Sequence, residues 1–522
     1  MTVRDTLLAL QAGAWLLPAM IVWPAVTAGL VRALGRDPGT AESPAGWRDA
    51  RALTVAALSV EALLGAALWV LFDPAQAGWQ ARVDLPWIPE LGAAISLGVD
   101  GLSLPLVVMA VTVLPLLLLG AWNNVRTRTP AFGALLLLLT SGVVGAMVAL
   151  DLLAFYVAWE LILVPMYFLV GVWALAGESR VALRYVLFTL VGSLLMLVAI
   201  LALWNAGGGT SFHLDHLLAV PLTPRTQLWL FGAFFAAFAV KSALVPFHSW
   251  FPPAQAAAPT VVAVALGFKV GGYALLRFAI PLFPAAALHP TVRMVILGLA
   301  VVTVLYGALL AMAQGELRRV VAYSSISHLG FIMLGGFALT PEAVSGAVLS
   351  MVHSGLASAV LLLVAGVLDD RVGTTELGAF GGLASAAPLL SIALVLGMLS
   401  TVALPGTLGF VGEFLVLMGS YAQAPALTLT ATVGVVLAAV YGLRPLQQLL
   451  FGARSSLVAQ GVPDLTRRET GVLAALVMAL LWLGVAPAPV LDRMQGAVRQ
   501  VVEGARFGPN ALPAVPSVSE MP

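Results

Sequence analysis

Apolar runs long enough to cross a lipid bilayer follow one another through almost the whole chain, about fourteen of them. They cover roughly residues 7–31, 52–72, 102–121, 131–150, 152–175, 181–204, 228–250, 260–280, 291–313, 317–338, 342–367, 388–421, 426–451 and 470–486. A bilayer core holds no water to bond exposed amides and carbonyls, so segments of this length must fold as helices bonded within themselves. The expected class is an all-α polytopic membrane protein. Composition agrees: 61% of the 522 residues are hydrophobic, 9% are charged and mean hydropathy is +1.02, too apolar for a soluble domain. The first run is longer than the roughly 7 to 15 residues of a signal-peptide core and is read as a helix.

Two of the fourteen segments carry a break. Pro246 interrupts the seventh, and Pro405 and Gly406, within LPGTLG at 404–409, interrupt the twelfth. Proline lacks a backbone donor and ends the helix it belongs to, and non-helical backbone at that depth is tolerated where it is buried in protein or lines a cavity. Interrupted helices in corresponding places of two halves mark transport paths. The breaks are five segments apart, an odd number, so the copies are expected to be inverted. The predicted organisation is therefore residues 1–130 as three helices with an outer loop at 73–100, 131–280 and 291–451 as two inverted five-helix repeats, and 452–522 as a last helix and tail.

Arginine sets the orientation. With the N-terminus outside, the cytoplasmic connections hold fourteen arginines, from Arg32, Arg36, Arg48 and Arg51 through Arg126, Arg128, Arg180, Arg184, Arg318, Arg319 and Arg371 to Arg454, Arg467 and Arg468. The other side holds little beyond Arg82 and Arg225. Positive charge stays in the cytoplasm, which puts both termini outside. The loop at 73–100, with VDLPWIP, is expected to form short extended segments over the membrane surface.

Against this background Lys241 stands out. It lies 13 residues from Leu228 and 10 from Phe251 in an apolar run, five residues before Pro246. A cation at the bilayer centre costs roughly 2.5 to 3.5 kcal/mol on insertion scales, so such a group lines a hydrated path or meets a carboxylate. Only two of the 25 basic residues are lysine, Lys241 and Lys269, and both fall inside apolar segments. Arginine is locked in its charged form, whereas lysine can release and regain a proton. Glu160 in the fifth segment is expected to pair with Lys241 or Arg184. Glu413 follows the second break much as Lys241 precedes the first. His248, His328 and His353, in or beside apolar segments, titrate near neutrality and suit a relay. Glu61, in the second segment, connects to none of these and is read as facing a partner subunit.

Several classes are excluded by absence. With no cysteine there is no disulfide, thiolate metal site or cysteine-ligated iron–sulfur cluster. No metal-binding spacing or nucleotide-binding glycine motif occurs, and a net charge of +1 without a basic block argues against nucleic acid.

The blocks WELILVPMYFLVG (159–171), FAVKSALVPFHSW (238–250), APT with GFKVGGYALLRF (258–278), LRRVVAYSSISHLGF (317–331), MVHSGLASA (351–359) and LPGTLGFVGEF (404–414) resemble the proton-pumping antiporter-like subunits of respiratory complex I. The likeness runs from about Leu85 to about Asp492. Glu413 makes the chain similar to the M-type member, since the L- and N-type subunits and the sodium/proton antiporter relatives typically place lysine there. The resemblance implies that Glu160 and Lys241 form the pair of the first half-channel, that Lys269 is the central relay lysine, that His328 and His353 are relay histidines and that Glu413 is the terminal carboxylate. It also implies a bacterial inner-membrane location, L- and N-type neighbours, and NADH, FMN, iron–sulfur clusters and quinone held by other subunits, with no redox cofactor in this one. The sequence departs from the family pattern after the seventh segment. Where the family has Trp-Leu-Pro-Asp-Ala-His, this chain reads Trp250, Phe251, Pro252, Pro253, Ala254, Gln255, so an acid and a histidine are missing. The alternative readings are the D-type subunit of a multi-subunit sodium/proton antiporter, against which Glu413 counts, and an inert scaffold, against which the buried lysines count.

Overall fold

The computed structural model describes residues 3–37, 49–76, 78–175, 180–507 and 510; Arg48, one of the orienting arginines, lies outside them. Twelve helical segments in the described residues are long and apolar enough to cross a membrane, from Ala12–Leu34 to Arg467–Val485, one of them, Thr260–Leu282, interrupted within its length. Two further segments, each split in two, fill the seventh and twelfth places of the fourteen the sequence predicts: Pro224–Lys241 with Phe251–Ala257, and Pro388–Thr401 with Leu408–Tyr421. Helix starts follow local chemistry. Asp151 caps Leu152–Val172 by accepting from the amides of Leu153 and Ala154, and Thr223 and Thr340 cap helices that open on Pro224 and Pro341.

The outer loop forms an antiparallel hairpin, β1 (Gln80–Ile88) and β2 (Ala93–Val99), with Leu85 opposite Ile95. The turn Pro89–Leu91 closes at Gly92, whose φ of 64° suits glycine. The expected extended segments are present.

Both breaks lie where proline put them, and their backbones match. In the first, Ser242, Ala243 and Leu244 donate to the carbonyls of Phe238, Val240 and Ala239; in the second, Val402, Ala403 and Leu404 donate to Met398, Ser400 and Leu399. Ala243 and Ala403 both hold positive φ, 52° and 58°. One expectation needs correcting. The breaks are not wholly enclosed by this chain, because Pro246, Phe247 and Ser249, and Leu404, Pro405 and Gly406, are exposed on its surface.

The sequence missed two features. The eighth segment is not one helix: Thr260–Leu266 stops, Gly267 to Lys269 leave the helix, and Val270–Ala274 resumes into a π turn at Leu275–Ala279. The predicted tail contains a helix, Ala488–Phe507, whose buried Val490, Met494, Ala497, Val498, Val501, Val502 and Ala505 recur every three or four residues. That pattern was legible, but its low hydropathy put it below the threshold for a span.

Helices that bear the candidate residues meet through glycine. Helix Pro341–Val372 approaches Leu408–Tyr421 so closely that a Cβ on Gly412 would lie 2.7 Å from the Ser350 hydroxyl, and one on Gly409 would lie 2.9 Å from Nε2 of His353. The glycines of LPGTLGFVGEF thus make room for Ser350 and His353 beside Glu413.

Candidate proton-translocation site

Lys241 ends the first half of the seventh segment. Its Nζ donates to the hydroxyl of Tyr185 at 3.1 Å and lies 5.3 Å from the centre of the Trp159 ring and 5.5 Å from that of Tyr185. Aromatic faces attract a cation without taking its proton. Glu160, next to Trp159, acts on Lys241 through space but is not in salt-bridge contact with it, and its buried Oε1 has no hydrogen-bond partner. Arg184 is exposed, so the alternative counter-charge is set aside. Tyr185, the residue beside it, is the missed contact. It is fully buried, and only the helix phase, which turns residue 185 inward and 184 outward, could have singled it out.

An aromatic line joins the two lysines. The Tyr185 ring is 5.1 Å from that of Trp250, which is 5.5 Å from Phe251, over whose ring Nζ of Lys269 sits at 5.8 Å. Trp250 is fixed by donating to the Val240 carbonyl at 2.9 Å. Lys269, 4% exposed, occupies the break of the eighth segment, and no hydrogen bond or ion pair joins its side-chain Nζ to any described residue. Gln255, where the family has histidine, is fully buried and donates to the Ala263 carbonyl at 3.0 Å, while its Oε1 is unpaired. It ties two short helices together and carries no titratable proton.

Beyond Lys269, three candidates converge. The rings of His353 and His328 are edge to face with centroids 5.4 Å apart, and Nδ1 of His328 is 2.8 Å from Oε1 of Glu413. All three are nearly inaccessible. Around them lie buried polar atoms with no partner: Nε2 of both histidines, Oε2 of Glu413, the hydroxyls of Ser350, Ser354 and Ser400, and that of Tyr441. Buried polar groups are paired in most proteins; a cluster of free ones offers hydrogen-bonding capacity to a mobile proton carrier. The serines and Tyr441 were not singled out in the sequence.

Two candidates stand apart. His248 packs edge to face on Tyr306 with centroids 5.1 Å apart and its Nδ1 unpaired, and it touches neither lysine. Glu61 does not face a partner, because it is fully buried with both oxygens unpaired, on the side of its helix where Gly65 meets Val111. No cluster of three or more His, Cys, Asp or Glu side chains suits a metal among the described residues.

The sequence profile of the NADH:quinone oxidoreductase/Mrp antiporter transmembrane family matches residues 149–438, more than half of the chain. The chain belongs to this family. NADH-quinone oxidoreductase subunit M of Rhodobacter capsulatus is 37% identical over 504 residues, 94% of this chain and 96% of that protein. Subunit M of Escherichia coli strain K12 is 37% identical over 436 residues, 81% of this chain and 85% of its own length. Among solved structures, a chain of respiratory complex I from Thermus thermophilus with bound NADH superposes with a TM-score of 0.83 at 34% identity, covering 93% of this chain and 99% of that one. In this NADH:quinone oxidoreductase/Mrp antiporter member, both breaks and every residue from Glu160 to Glu413 discussed above fall within the matched range.

Proposed function

We propose that the chain is the M-type proton-translocating membrane subunit of an NADH:quinone oxidoreductase, moving protons along Glu160, Lys241, Lys269, His353, His328 and Glu413 without a redox cofactor of its own. One observation carries this reading. Two lysines stand at helix breaks with no carboxylate in contact, on a line that ends at a hydrogen-bonded histidine and glutamate. An ion pair would fix a lysine's charge; a phenol hydroxyl and aromatic faces hold the ammonium in place and leave its proton free to leave.

The chemistry is electrostatic hand-over. When Lys241 gains or loses a proton, the field at Lys269 changes across the intervening aromatic line, because charges in a poorly screened interior interact more strongly than in water. His353 and His328 take the proton from Lys269 through imidazole nitrogens that serve as donor or acceptor in turn. Glu413 receives it on Oε1. NADH, FMN, iron–sulfur clusters and quinone belong, on this reading, to other subunits, and L- and N-type subunits flank this one.

The arginine asymmetry supports placing both termini on the periplasmic side, the likeness to bacterial subunit M proteins supports a bacterial inner membrane, and the odd separation of the two breaks supports inversion of the two five-helix units. Reporter fusions at Arg126 and Ala219 are expected to report cytoplasm and periplasm respectively; the reverse pattern overturns the orientation. The isolated subunit is expected to show no stoichiometric flavin, haem or iron absorbance.

The central test is Lys269→Ala in the assembled enzyme in membrane vesicles. NADH-driven proton uptake is expected to fall at least about tenfold. Full uptake at normal assembly removes Lys269 from the path and with it the proposed line.

A further inference from the structure

Lys269 owes its place to a half-helix. The amide of Tyr273 donates to its carbonyl at 3.0 Å, so the lysine moves with Val270–Leu282. That stretch is fastened at three heights. Near the lysine, Gly271 is pressed against Ser242, the residue after Lys241, with no room for a methyl group. One turn on, the hydroxyl of Tyr273 donates to the Met147 carbonyl at 2.7 Å and accepts from Nε of Arg277 at 3.1 Å. At the far end Nη2 of Arg277 bonds the carboxylate of Asp100, while its guanidinium stacks 4.5 Å over Trp79.

Lys269 stands at the start of this half-helix, with Tyr273 and Arg277 following at four-residue intervals and Arg277 inside the π turn at 275–279. Asp100 is equally well fastened. It directly follows β2 and accepts from the amides of Leu102 and Ser103 at 3.0 and 3.1 Å at the start of Ser103–Gly120. Asp100 and Arg277 are both under a tenth exposed. The forked guanidinium satisfies two acceptors at once, which lysine's single ammonium at the end of a flexible stem does not do in the same geometry.

We infer that the buried Asp100–Arg277 pair, with Tyr273, is a positioning device for proton transfer: it fixes the height of the half-helix and hence the spacing of Lys269 from Lys241 and His353. This deepens the proposed function and rests on Lys269 carrying protons. Because the pair is closed on itself, it holds the lysine without lending it a counter-charge.

The test uses the whole enzyme in vesicles, with pumping expressed per assembled complex. Arg277→Met combined with Asp100→Leu leaves no unpaired buried charge; it is expected to assemble, yet to pump about tenfold less with its pH optimum displaced. Arg277→Lys, which keeps the charge and loses the fork, is expected to recover roughly half of the native rate. Tyr273→Phe, which keeps the packing, is expected to pump about threefold less, with the same direction of pH displacement. Native pumping per complex with an unmoved pH profile, in either the double variant or Tyr273→Phe, overturns the positioning role. The Lys269→Ala control separates the two ideas: if that variant pumps normally the relay itself is wrong, whereas a dead Lys269→Ala beside a normal Tyr273→Phe refutes the clamp alone.

Discussion

At the first break the chain leaves the helix through Ser242, Ala243 and Leu244; at the second it leaves through Val402, Ala403 and Leu404, with the same hydrogen-bond offsets and the same left-handed alanine. The side chains beside the two breaks differ. Before the first break stands Lys241, where the second has Thr401, and the lysine meets a phenol and two aromatic faces. After the second break stands Glu413, six residues past Thr407, in direct contact with a histidine. One backbone device therefore serves two chemistries, and the break itself dictates neither. It opens a non-helical window, and the side chains on either side decide whether that window presents a base held loosely or an acid held by hydrogen bonding.

The largest effect that bears on this contrast is expected at the acid. Glu413→Ala removes the titratable group bonded to His328 and is expected to abolish measurable NADH-driven pumping in vesicles, whereas Glu413→Asp keeps a carboxylate and most of the rate. Equal pumping by both would make Glu413 a packing residue and erase the chemical half of the comparison.

Next comes the base. Lys241→Arg preserves the positive charge but not the ability to release a proton. It is expected to pump about tenfold less than the native enzyme, close to Lys241→Ala, at normal assembly. An assembled Lys241→Arg enzyme that pumps fully would mean that the first break needs only a fixed charge.

A smaller change is expected at Tyr185→Phe, which removes the hydrogen bond from Nζ of Lys241 and keeps the ring. Loss of a bond to a charged group is worth about 1.5 to 3 kcal/mol at most, so a several-fold fall in pumping is expected, with no change in the amount of assembled complex. A silent Tyr185→Phe would leave the aromatic faces as the lysine's holder.

The smallest effect tests the shared backbone. An L-residue in the left-handed region is strained by about 1 to 2 kcal/mol, while glycine costs roughly 0.5 to 1 kcal/mol of chain entropy. Ala243→Gly and Ala403→Gly should then each shift thermal stability by a few degrees at most, alike at both sites, with pumping unchanged. If one variant pumps normally and the other does not, the two breaks are not equivalent.

What the sequence alone determined follows from forces that act along the chain. Apolar length fixed the fourteen crossings, because lipid leaves no other way to bond the backbone. Pro246 and Pro405 fixed two breaks by removing donors, and residue type made Lys241, Lys269 and Glu413 conspicuous. Family blocks added roles but no distances. The tertiary structure decided the partners, since each depends on residues far apart in the chain: Tyr185 for Lys241, His328 for Glu413, Asp100 for Arg277. It also placed Lys269 in a break that no proline announces, where Gly271 lies hard against Ser242, and it enclosed Glu61. The physical reason is the solvent. In water a helix declares its buried face by its polar one, but a membrane helix is apolar all round, so the sequence shows that it crosses the bilayer and not which neighbour each side chain will meet.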